Sequence, residues 1–116
     1  MVDNFQIGVF YMSKKIKLSN GDVVKFSLDN YFEPADRICV KVVVGEGDRE
    51  GAAYATLSSN FPESEVNSKK GEFFIKYWGE NDSMFRDFVK LNVFEKGYPR
   101  VIGDKVIGKI RDEFVK

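Results

Sequence analysis

The stretches KKIKL, VVKFSLDN and RICVKVVV alternate apolar and polar side chains with a period of two, and nothing else in the 116 residues constrains the fold as much. Successive side chains of an extended strand point to opposite faces. Val24, Phe26 and Leu28 therefore share one face against Lys25, Ser27 and Asp29, and Ile38, Val40, Val42 and Val44 share one against Arg37, Cys39 and Lys41. A helical backbone would scatter these sets around its circumference. The separators are short: Ser19-Asn20-Gly21-Asp22, the glycine-rich GEGDREG from 45 to 51, and Gly103-Asp104 between Val101-Ile102 and Val106-Ile107. Asn-Gly and Gly-Asp supply the positive φ of tight hairpins, so the strands flanking them are predicted to be antiparallel neighbours. Pro34 predicts a turn at 33–36.

AAYATLSS continues the meander as a fourth strand, closed at Asn60-Phe61-Pro62 because proline cannot donate to a ladder. GEFFIKYWG is apolar on both faces, with Phe73, Ile75 and Tyr77 against Phe74 and Trp78. It predicts an inner strand with Trp78 in the core. In NDSMFRDFVKLN, Met84, Phe85, Phe88 and Leu91 recur at helical spacing, Asn81 or Asp82 serves as N-cap, and Asn92 ends the helix. The expected architecture is α+β, an antiparallel sheet of about five to seven strands with one short helix packed on a face. A chain of this length fits a single domain, 1–116, with its core from about residue 14 to about residue 111. Residues 1–11 read either as a dispensable extension or, because Phe5, Ile7 and Val9 alternate, as an edge strand.

The chain has no histidine, and this removes the commonest general base, the commonest zinc ligand and every nucleophile arrangement built on one. The hydroxyls of Thr56, Ser58 and Ser59 then read as strand residues, and no catalytic residue is assigned. GEGDREG matches neither a calcium loop nor a phosphate-binding loop, so no metal or cofactor is expected. The single Cys39 leaves no internal disulfide and reads as a small strand residue. No apolar run is long enough to span a bilayer, and the N-terminus lacks the pattern of a secretory signal, so a cytoplasmic protein with no membrane partner is expected.

Basic and acidic residues balance at 18 each, which gives no global field for nucleic acid. Their distribution is uneven. From 31 to 66 acidic side chains outnumber basic ones seven to three, and from 67 onward basic ones lead eleven to eight. The exposed anchors this suggests for a partner are Arg49 at the glycine-rich hairpin tip, and Tyr98, Arg100, Lys105 and Lys109 on the basic terminal hairpin. Basic residues interleaved with an aromatic also suit single-stranded nucleic acid, although Tyr98 is the one aromatic among them.

The series YFEPADRICVKV, YATLSSNFPE and GEFFIKYWGEN, followed by a short helix and a glycine-containing hairpin, resembles a large family of small uncharacterised proteins carried by plasmids, conjugative elements and phages. Members of that family carry a YATLTVNLP-like strand. The resemblance spans Lys14 to about Lys109, with Ser58, Ser59 and Phe61 standing where more apolar residues are the pattern. It implies a mobile-element protein that acts by binding: an inhibitor of a bacterial host defence system, anti-CRISPR-like, occupying the surface of a host defence protein or effector complex. The alternative is a nucleic-acid-binding accessory protein of phage or plasmid replication.

Overall fold

The computed structural model describes residues 14–31, 37–61, 66 and 68–115. The turn expected at 33–36, Pro62 and the segment 1–11 lie outside them. The architecture is α+β, with two antiparallel sheets of four strands each and one short helix among the described residues. The first sheet runs β1 (Ile16–Lys17), β2 (Val23–Asn30), β3 (Ile38–Val44), β4 (Ala53–Thr56), each beside its sequence neighbour. The second has the order β5 (Ser58–Ser59), β6 (Glu72–Ile75), β8 (Lys105–Lys109), β7 (Arg100–Ile102). Helix α1 (Asp82–Lys90) lies between β6 and β7 in the chain. Val24, Phe26, Val40 and Val42 from the first sheet, and Leu57 just past β4, bury together with Phe73, Ile75 and the helix side chains Met84 and Phe88.

One expected sheet becomes two because the strand AAYATLSS divides at Leu57. The Leu57 N–H donates to the Val40 carbonyl at 2.9 Å, inside the first sheet, while its own carbonyl accepts the Lys76 N–H at 2.6 Å, beyond β6 of the second. The side chain of Leu57 is fully buried between the two. A strand leaving a sheet exposes its neighbour's next donor, and Ser58 supplies the acceptor: its Oγ takes the Val40 N–H at 2.8 Å and hydrogen-bonds the Tyr31 hydroxyl at 2.8 Å. The Ser58 hydroxyl is thus a ladder partner in side-chain form. Ser58→Ala is expected to cost about 1–2 kcal/mol in a urea melt, because Val40 keeps a buried donor with nothing to receive it. Thr56→Ala, at an exposed position, should leave the midpoint nearly unchanged.

The inner-strand reading of GEFFI holds, since β6 lies between β5 and β8 and all four of its residues are buried. Gly108 stands beside it in β8, where a Cβ would come within 2.7 Å of Ile75 Cδ1, so the absent side chain leaves the space over β8 to the side chains of Ile75 and Phe94. Helix α1 buries Met84 and Phe88, with the Phe88 ring 5.2 Å from that of Phe26, but Leu91 is exposed. It ends as the sequence predicts, with Asn92 in the left-handed region at φ 57°. The Asn92 N–H reaches the Val89 carbonyl and the Val93 N–H the Phe88 carbonyl, the paired bonds of a Schellman motif, with buried Val93 against Phe88. The start differs. Asn81 has helical backbone and no capping bond. Its carboxamide, 2% exposed, donates instead to the carbonyls of Thr56 at 2.8 Å and Lys76 at 3.0 Å, joining β4 to the end of β6.

The first hairpin is looser than a two-residue Asn-Gly turn. Leu18 bonds Asp22 across three intervening residues, with Gly21 at φ 93° taking the extra one as a bulge. Its tip is tied to α1, because Asp87 Oδ2 accepts both the N–H (3.0 Å) and the hydroxyl (2.9 Å) of Ser19. Gly103-Asp104 does make the two-residue turn, with Ile102 opposite Lys105 and the positive φ on Gly103. At the far end of β2, Leu28 is exposed despite its apolar register. It overhangs a crevice of about 90 Å³ shared with Ile38, Phe73, Ile110 and Val115.

Candidate functional site

The β7–β8 hairpin collects four of the five residues that the charge pattern singles out. The Tyr98 hydroxyl donates to Glu72 Oε2 at 2.5 Å, and the Arg100 guanidinium donates to the same oxygen at 2.9 Å while lying 5.1 Å over the Tyr98 ring. Glu72 stands on the central strand β6 and is 7% exposed, so its carboxylate is removed from water and answered by Arg100. Lys105 Nζ sits 5.0 Å over the Phe61 ring and 3.4 Å from Asp104 Oδ1, and Lys109 Nζ is 3.7 Å from Glu95 Oε1. Much of the basic excess of the C-terminal half is therefore answered within the molecule. Glu72 could have been found in the sequence as the one charged residue inside the apolar run EFFI.

Arg49 sits apart, in the exposed loop between β3 and β4 of the first sheet. Its guanidinium makes no ion pair with any described residue. It borders a shallow hollow with Asp22, Glu46 and Tyr54, and no residue of the β7–β8 hairpin lines that hollow. Nearby, Lys25 pairs with Glu50 at 2.7 Å and holds the Glu50 carboxyl below its ordinary value, clamping the loop to β2.

A second surface is apolar. Trp78, expected in the core, is 43% exposed. It lies just beyond the end of β6, its ring 5.3 Å from that of Tyr77 in an edge-on arrangement, and Tyr77 is 6.2 Å from Phe85 of α1. Val89 follows Phe85 by one helical turn and is also exposed, and Arg86 stands beside them, 3.3 Å from Asp82. The Tyr77 hydroxyl reaches the Asp104 carbonyl at 3.5 Å and so connects this ridge to the hairpin tip. A tryptophan in front of Gly79, where the strand has ended, is the signal the alternation concealed.

Three tyrosines hold their protons above the ordinary value of 10.0: Tyr98 through its bond to the Glu72 carboxylate and then burial, and Tyr54 and Tyr31 chiefly through burial. A raised folded-state pKa contributes stability that is complete below the unfolded value and disappears as pH rises through the folded one. Urea midpoints from about pH 9 to about pH 11 should therefore fall, and Tyr98→Phe should flatten part of that fall. An unchanged slope in the variant would contradict the Glu72 coupling.

No family model, curated protein or solved structure matches the chain. Among the described residues no helix is long and apolar enough to cross a membrane, and no group of three or more acidic or cysteine residues is placed to hold a metal.

Proposed function

We propose that the chain is a binding protein without chemistry of its own, and that it occupies a surface of a partner protein through the ridge of Trp78, Phe85 and Val89 with Arg86 at its side. The exposure of Trp78 carries this reading. An indole left 43% open to water, stacked edge-on against Tyr77, is the kind of anchor that concentrates energy at protein interfaces, where tryptophan, tyrosine and arginine dominate. The likeness of the strand series to mobile-element proteins gives the partner its class: a host defence protein or effector complex, inhibited stoichiometrically.

The test is to identify the partner by pull-down from host lysate with mass spectrometry, then to titrate the purified partner against wild type and variants. Trp78→Ala should weaken binding by roughly 30-fold or more with the melting temperature little changed, as an interface anchor costs about 2 kcal/mol or more when truncated. Lys109→Ala should weaken it only slightly. Loss of affinity in proportion to a high power of salt concentration, with Trp78→Ala neutral, would instead favour the nucleic-acid accessory reading.

A further inference from the structure

Between the start of α1 and the first sheet lies a hollow of about 220 Å³, with Leu18, Ala55 and Met84 as its apolar lining. Glu80 and Asp87 line it as well, and no described lysine or arginine does. Asp87 gives Oδ2 to the N–H and hydroxyl of Ser19, but its Oδ1 receives no bond from a described residue. The Glu80 carboxylate is exposed and pairs with no described cation. Asn81 adds an independent demand from inside the wall. It lines the hollow at 2% exposure, and both its amide hydrogens are turned to the Thr56 and Lys76 carbonyls. Its Oδ1 therefore stands on the other side of the carboxamide, makes no capping bond to α1, and is a buried acceptor without a donor among the described residues. An acceptor left so retains a desolvation cost that a donor entering the hollow relieves. Tyr54, in the same wall, donates its hydroxyl to Asp22 at 2.6 Å, and burial chiefly, then Asp22 and Asp87, hold its proton above the ordinary value.

We propose that this hollow binds a guanidinium group carried on a short aliphatic stem, held by Glu80, Asp87 Oδ1 and Asn81 Oδ1 with the stem along Leu18, Ala55 and Met84. The groups without partners are oxygens, so the occupant is a hydrogen-bond donor and a cation. A metal ion does not suit them, because no three acidic or cysteine residues among those described are gathered closely enough to hold one. A guanidinium spans separated acceptors with several N–H groups, pairs with a carboxylate through a planar fork, and is less strongly hydrated than an ammonium, which favours it against an apolar lining. The volume lies below the ~300 Å³ at which sites for drug-sized ligands begin, so it takes one side chain or one small amine. A free guanidino compound and an arginine side chain of another protein carry the same group, and the test separates them.

Ser83 and Asp87 lie on one flank of α1 and Phe85 and Val89 on the opposite one, so the site is independent of the Trp78 ridge and its failure leaves that reading untouched. The experiment follows backbone amide shifts of the full chain by NMR during titration with agmatine, with Nα-acetylarginine amide and with butylammonium. Both guanidinium probes should give saturable shifts at Ala55, Glu80 and Ser83 with a Kd of about 1 mM or lower. Butylammonium should bind about ten-fold more weakly or worse. Tighter binding of agmatine would assign a free compound, and tighter binding of the arginine amide a partner's side chain. Glu80→Gln should weaken either guanidinium probe by about five-fold or more with an unchanged melting temperature, and Asp87→Asn, which keeps an oxygen for Ser19, by a similar factor. Butylammonium binding as tightly as agmatine, shifts that do not saturate by roughly 20 mM agmatine, or wild-type affinity in both variants would overturn the proposal. If Asp87→Asn fails to fold, the exposed Glu80→Gln decides alone.

Discussion

Arg100→Glu is expected to lower the free energy of unfolding by about 2–4 kcal/mol, because it sets a second carboxylate beside one that the fold has already taken out of water. The Glu72 oxygen that accepts Arg100 at 2.9 Å also accepts Tyr98, and the residue stands on the central strand of its sheet. Its side chain is 8% exposed, so the new carboxylate would face it across a largely desolvated contact. The half-exposed end of Arg100 keeps the loss below that of a fully enclosed pair. Lys109→Glu is the control. Lys109 and Glu95 are both partly solvated and 3.7 Å apart, so its reversal should cost about 1 kcal/mol or less. Chemical denaturation of the two variants beside wild type checks the difference. Equal midpoints would mean that Glu72 is satisfied without Arg100. A consequence concerns binding experiments on the hairpin: reversing Arg100, Lys105 and Lys109 together confounds lost affinity with lost fold, and the separate reversal of Lys109 does not.

Asn81→Ala is expected to cost about 2–4 kcal/mol, although the residue sits at a helix start where a capping loss is usually nearer 1 kcal/mol. Both hydrogens of its amide are committed, to the Thr56 and Lys76 carbonyls, and the side chain is almost wholly enclosed. Removing it strands two acceptors at the place where the first sheet hands the chain to the second. Asn81→Asp should be at least as damaging at neutral pH, since the replacement directs an oxygen at two oxygens. Denaturant midpoints for both variants provide the measurement. A loss within about 0.5 kcal/mol of wild type for Asn81→Ala would show that water takes over the two carbonyls and that Asn81 is no stitch between the sheets.

The α+β class, the inner position of EFFI, the turn at Gly103 and the left-handed end of α1 at Asn92 were all legible in the sequence. Each depends on spacings of a few residues, where the period of two or 3.6 and the freedom of one backbone angle decide the outcome. What the tertiary structure decided depends on residues far apart in the chain. Asn81 looked like a cap until Thr56, 25 positions away, claimed its amide. Arg100 looked like a free cation until Glu72, 28 positions away, was buried beside it. Trp78 followed the alternation of its strand, but the strand ends at Ile75 and the chain turns into α1, which turns the indole outward. The division at Leu57 is of the same kind. An apolar strand residue states that it will be buried, whereas which of two ladders receives its N–H and which its C=O depends on where Val40 and Lys76 have been placed by the rest of the fold.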